Sequence, residues 1–211
     1  CSPGNDGSIN IQLSGGLSNV RYIRVEQNID DFLNLAELQA YEVFTGTNVA
    51  LSKSASASTT YSGYPASNFV DNNSNTIYHS SPAAGMGDED WVEIDLGAAY
   101  NIDNIRILNR ADCCWNRARD LQLVLKNASG TIIYSQGIDV YQNTDNSQVS
   151  PTFNVLDLSW SDSGTPLNRT GLGAGTYTFN YADVTGCTTA TETAILAPIT
   201  IPAPSVAANP A

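Results

Sequence analysis

Apolar residues in this 211-residue chain recur at every second position or in short β-branched runs, and nowhere do they keep a 3.6-residue period. Residues 8–13, 20–27, 35–44, 91–96, 102–108, 121–126, 131–134 and 176–181 carry this pattern, separated by clusters of Gly, Asn, Asp and Ser. A strand with one apolar face must bury it against another sheet, so the expected fold is an all-β sandwich. Single-turn helices at 32–35 or 66–69 fit the pattern; a helical core does not.

Composition narrows the partners. Only 14% of residues are charged against 42% hydrophobic, which suits a compact, low-charge domain. Nine basic residues face 21 acidic ones, a net charge of −12. An acidic chain lacks the basic patch that nucleic acid or an anionic membrane requires, and it leaves room for a cation. No apolar run is long enough for membrane insertion. Cys1, Cys113, Cys114 and Cys187 form no zinc-type pair. An even cysteine count with little Lys and much Ser, Thr and Asn suits an exported, oxidising setting, hence a secreted or cell-surface protein. Cys1 and Cys187 are left to bond with each other or with neighbouring repeats. The opening at Cys1 and the Pro/Ala-rich close suggest a segment of a larger chain, with residues 199–211 as a linker.

The two ends are alike in composition and differ from the middle. The stretch CSPGNDGSINIQLSGG, followed by LDLSWSDSG and GLGAGTYTFNYADVTGC, resembles one repeat of the Bacteroidetes gliding adhesins (SprB-type). The resemblance implies an immunoglobulin-like sandwich from residues 1–16 and 156–198, with tandem neighbouring repeats as partners. A second domain, residues 17–155, is then expected as an insertion at a loop tip.

Within that middle, NVALSKSASAS, ASNFVDNNSNTIYHSS and WVEIDLGAAYNIDNIRILNRADCCWNR resemble the discoidin (coagulation-factor C-type) superfamily of galactose-binding-like jelly rolls. RADCCWNR also resembles the F-type, fucose-binding lectin signature, with Arg110, Asp112 and Arg117 on the signature positions. The earlier stretch VRYIRVEQNIDDFLNLAELQAYEV resembles the closing strands of the same superfamily, which implies a circular permutation. Neighbouring first and last strands of a jelly roll tolerate such a change.

The resemblance implies two sites. A structural Ca2+ is expected at Asn68, Asp71, Asn73, Thr76, Ala36 and Glu37, which supply the hard oxygens that calcium prefers. The alternative is an Asn/Asp turn that satisfies its own polar groups. Sugar binding is expected at Tyr78, His79, Arg110, Asp112, Cys113, Cys114, Trp115, Asn116 and Arg117. Guanidinium forks serve sugar hydroxyls, the single imidazole serves an axial hydroxyl, and an aromatic ring serves the apolar face. The arginine motif is fucose-like and the histidine position galactose-like. Cys113 and Cys114 are a disulfide in the lectin relatives, and two free thiols otherwise. Arg110 and Arg117 have an alternative role as surface partners of Asp112 and Asp120. The expected function is a calcium-dependent lectin module that binds extracellular glycans. A structural spacer or protein-binding module is the alternative. An enzyme is not expected, because no carboxylate pair or nucleophile motif is present.

Overall fold

The computed structural model describes residues 7–11, 18–81, 90–141, 152–163, 169–183 and 189–197. It is all-β: β1 (Gly7–Ile9), β2 (Ser18–Gln27), β3 (Asn34–Leu35), β4 (Glu37–Glu42), β5 (Ser54–Ala57), β6 (Tyr78–His79), β7 (Trp91–Leu108), β8 (Leu121–Lys126), β9 (Ile132–Ile138), β10 (Thr152–Asn154), β11 (Leu156–Trp160), β12 (Arg169–Leu172), β13 (Gly175–Asp183) and β14 (Thr189–Leu196). Among the described residues the helical turns are two 3-10 turns, Ala66–Val70 and Trp115–Arg117. No helix among them is long and apolar enough to cross a membrane. Cys1, Cys187, Asp88, Glu89, the expected domain boundary at 16–17 and the expected linker lie outside the described residues.

The chain divides into two compact units, one of Cys1–Gln12, Leu158–Asn180 and Ala190–Ala211, the other of Leu13–Asp157 and Tyr181–Thr189. In the larger unit β7 is the hub. Its first half pairs with β5 on one side and β2 on the other, and β2 continues through β8 to β9. Its second half pairs with β4 and β10. The passage between the two halves falls at Gly97–Asn101, where Gly97 takes φ +83° and the β2 register slips. Glycine reaches that φ without a Cβ clash, so one strand serves both sheets of the sandwich. Residues 91–96 and 102–108 are therefore one bent strand rather than two. Ile23, Val25, Leu38, Ile94, Leu96, Ile105 and Ile107 are fully buried, and each such side chain contributes up to about 1.5–3 kcal/mol.

Several scarce cations clasp this sheet. Arg24 Nε lies 2.8 Å and Lys126 Nζ 2.7 Å from Glu93 Oε2. The Arg24 guanidinium also covers the half-buried Trp91 ring at 4.0 Å. The single-turn helix anticipated at 32–35 is instead the short strand β3. Its two residues pair with β6, Asn34 with His79 and Leu35 with Tyr78.

In the smaller unit, β1 pairs with β12, and β11, β13 and β14 form a three-stranded sheet. Trp160 is buried against Phe179 with ring centroids 5.1 Å apart. Arg169 lies over both Trp160 and Tyr177 and pairs with Asp162.

Candidate functional site

The end of β7 runs directly into the arginine motif. Arg110 is buried and forms a bidentate pair with Asp112, Nε to Oδ1 and Nη2 to Oδ2 both at 2.7 Å. That pairing pushes the Asp112 carboxyl down to about 2, so it stays ionised and fixes the orientation of the planar fork. Buried amides tie the following loop. Asn109 Nδ2 donates to the carbonyls of Trp115 (2.8 Å) and Val140 (3.1 Å), and Gln27 Nε2 donates to that of Arg117 (3.0 Å). Cys113 and Cys114 are joined as a vicinal disulfide, and Cys114 takes the left-handed conformation, φ 56°. Trp115 is half-buried at the start of the 3-10 turn, and the exposed Asn116 gives its carbonyl to Arg119.

Arg117 departs from the Asp120 partnership. Its Nε lies 3.1 Å from Asp31 Oδ1, and its guanidinium lies over the Phe32 ring at 5.1 Å. Asp31 and Phe32 precede β3, whose pairing with β6 carries His79 to the same corner. Burial lowers the His79 pKa first. The Ser80 carbonyl works against that shift, while the positive charges of Arg110 and Arg117 reinforce it. The imidazole is thus neutral at pH 7. Its Nδ1 lies 2.6 Å from Ser80 O, which assigns the proton to Nδ1 and the lone pair to Nε2.

Aromatic rings surround the imidazole. Phe32, Tyr61 and Tyr64 have centroids 5.7, 5.6 and 6.0 Å from it. Tyr61 and Tyr64 are exposed and stack on each other, 5.6 Å apart and 5° from parallel. Backbone bonds from Tyr61 N to His79 O and from His79 N to Tyr64 O anchor their turn beside the histidine. Sequence reasoning missed Phe32, Tyr61 and Tyr64, since isolated aromatics in turns carry no periodic signal, and Asp31, whose partner Arg117 is remote in sequence. Tyr78, expected to stack on a sugar, is a core residue instead. It is 0% exposed, its hydroxyl donates to Thr59 O at 2.9 Å, and burial raises its pKa.

The candidate cation residues lie around Glu37 and Asp71. Strand β4 pairs Glu37 with Leu108, and Ala36 N donates to Leu108 O at 2.9 Å. Ala36, Ile77 and Leu108 pack as one buried cluster. Asp71 Oδ1 accepts from Asn73 N (2.9 Å), and Asp71 Oδ2 accepts from the Thr76 hydroxyl (2.8 Å). Asn68 Nδ2 donates to Ile77 O at 3.0 Å. Glu37 Oε2 accepts from Asn72 N at 3.0 Å, whereas Oε1 is buried with no partner. Burial, then the adjacent Asp71 charge, pushes the Glu37 carboxyl up to about 8, against partial relief from the Asn72 and Asn73 amides. An orphaned buried carboxylate oxygen beside a second carboxylate fits a hard cation. Among the described residues no three His, Cys, Asp or Glu side chains converge, so a cation there would need carbonyl and hydroxyl oxygens as its further ligands.

A family profile described as "NedA-like, galactose-binding domain" matches residues 68–187, more than half of the chain. The chain belongs to this family. The matched stretch holds the Asp71 loop, β6, all of β7 and the arginine loop of the NedA-like domain. Two curated relatives are similar to it. Fucolectin-3 of Anguilla japonica is 32% identical over 90 residues, covering 40% of this chain and 50% of the relative. Fucolectin-4 of the same organism is 33% identical over 64 residues, covering 30% of this chain and 36% of the relative. The chain thus spans half or less of the length of these relatives. No solved structure matches it significantly.

Proposed function

We propose that the NedA-like domain is a lectin that binds a neutral fucose- or galactose-type sugar at His79, Arg110 and Arg117. The observation that carries this reading is the convergence of a neutral imidazole and two guanidinium forks beside aromatic rings and a vicinal disulfide. Residues from three distant stretches, 31–32, 61–79 and 110–117, meet there, which surface ion pairing alone does not require. Arg forks and the Nε2 lone pair serve adjacent hydroxyls, and Tyr61, Tyr64 and the Cys113–Cys114 bridge offer apolar surface to the ring. The family description and the names of the eel relatives support the same ligand class. Catalysis is not part of the reading: the carboxylates of Asp112 and Asp31 are already engaged with Arg110 and Arg117 rather than free as acid and base.

Calcium at Asn68, Asp71, Asn73, Thr76, Ala36 and Glu37 braces the loop beneath the sugar. The carboxylates, carbonyls and hydroxyl would hold the ion, which supplies positive charge and no chemistry. The domain acts as the adhesive element of a secreted or cell-surface protein, circularly permuted and inserted into an adhesin repeat, with weak single-site affinity multiplied by tandem display. A glycan array with wild-type and Arg110→Ala protein, with and without EDTA, tests the proposal. Sugar binding lost in the variant supports it; absence of binding to any glycan returns the spacer reading.

A further inference from the structure

The sugar corner has a neighbour. A cavity of 320 Å³ opens beside it, with Tyr64, Ser74, Asn75, Thr76, Ala111 and Asp112 in its walls. Two of those residues also belong to the first site. Tyr64 stands at the edge of the His79 cluster, and Asp112 clamps Arg110. The volume is at the lower end of the roughly 300–1,000 Å³ usual for small-molecule sites, enough for a sugar ring and too little for a polypeptide element.

We infer that this cavity is a second sugar subsite, so that the domain's preferred ligand is an oligosaccharide whose next pyranose, a neutral one, sits between Tyr64 and Asp112. The inference rests on the lectin reading of the first site and extends it. The walls suit a sugar: Asn68, Ser74, Asn75 and Thr76 bring amide and hydroxyl groups and Tyr64 an aromatic ring to the same lining. The polar wall is already ordered. Asn75 Nδ2 is held by Asn73 Oδ1 at 3.3 Å, Asn75 N by the same oxygen at 3.1 Å, and Thr76 Oγ1 by Asp71 Oδ2 at 2.8 Å. Ordered donors and acceptors cost less side-chain entropy when a ligand binds. The charge chooses the sugar. Asp112 spends both oxygens on Arg110 yet keeps 68% of its side chain exposed, so a carboxylated sugar meets a carboxylate and a neutral one meets a hydrogen-bond acceptor.

Calorimetric titration tests this with methyl fucoside, methyl galactoside and a panel of neutral and sialylated oligosaccharides ending in either sugar. Wild-type protein is expected to hold at least one neutral oligosaccharide about five- to tenfold more tightly than the matching methyl glycoside, the size of one or two net hydrogen bonds. The advantage disappears in Asn75→Ala and in Ala111→Trp, which fills the cavity, while methyl glycoside affinity is unchanged in both and shows that they fold. A neutral panel that never exceeds the methyl glycosides, an advantage that survives both variants, or an equal advantage for sialylated chains overturns the subsite alone. Failure of the methyl glycosides and of every oligosaccharide to bind overturns the lectin reading and the subsite with it.

Discussion

The two ends of the Ala36–Glu37 and Leu108–Arg110 crossing treat buried charge in opposite ways. At Arg110 the protein supplies its own counter-charge, Asp112, in a bidentate pair, and neighbouring Arg117 has Asp31. At Glu37 the nearest charge is Asp71, of the same sign, and one carboxylate oxygen has no partner at all. A site balanced from within is ordered before its ligand arrives; a buried carboxyl that must shed a proton beside a like charge lacks the counter-charge that would keep it ionised. In the proposed reading, the corner at Arg110 takes a neutral molecule and the corner at Glu37 a cation.

The sharpest way to break the comparison is to change the fork without changing the charge. Arg110→Lys keeps a cation but forfeits the paired geometry with Asp112, and sugar affinity on an array or by calorimetry is expected to fall at least 30-fold, about 2 kcal/mol or more. Retained affinity would show that charge alone suffices.

Calcium comes next. Saturating calcium, at about 100 times its dissociation constant, is expected to add about 2.7 kcal/mol to wild-type stability, read as a rise of several degrees in Tm. At pH 9, above the raised Glu37 pKa, Glu37→Gln removes the repulsion with Asp71, so the variant without calcium is expected to melt above wild-type without calcium and to gain little when the ion is added. An equal calcium response in both proteins would separate Glu37 from the cation.

A smaller effect separates core from surface. Tyr78→Phe deletes one hydrogen bond to Thr59 O and is expected to cost about 1 kcal/mol by denaturant titration, with sugar affinity unchanged. Loss of affinity would return Tyr78 to the binding face.

The smallest is a pH effect. A folded pKa below the unfolded value of 6.5 means that the native state binds fewer protons at His79. Its stabilising contribution is complete above pH 6.5 and declines as pH falls from there through the folded pKa. Sugar affinity is expected to be flat from pH 8 to 6.5 and to weaken only on further acidification, when Nε2 takes a proton. An affinity change centred above pH 6.5 would contradict the neutral imidazole.

How much of this was legible depends on the range of the signal. Strand identity was visible because alternation of side chains is local: 20–27 and 121–126 are strands at the expected residues, β2 starting two residues earlier. The bend in β7 was not, since Gly97 looks like any turn glycine until two sheets compete for the same strand. The arginine motif and the cysteine pair announced themselves by spacing. Tyr78 and His79, adjacent in sequence, were both expected at the sugar; the Thr59 carbonyl and the core claimed one, and the aromatic cluster the other.

What the sequence determined by itself was everything carried by neighbours along the chain: the all-β pattern, the arginine motif, the vicinal cysteines and the oxygen-rich loop at Asp71. What only the tertiary structure decided was which distant groups complete them. His79 meets Arg110 and Arg117 because β3 pairs with β6, and Glu37, paired with Leu108 at the end of β7, meets Asp71 with one carboxylate oxygen left unpartnered. Register between strands far apart in sequence is set by which apolar faces can be buried together, and that sum over the whole core is not written in any one motif.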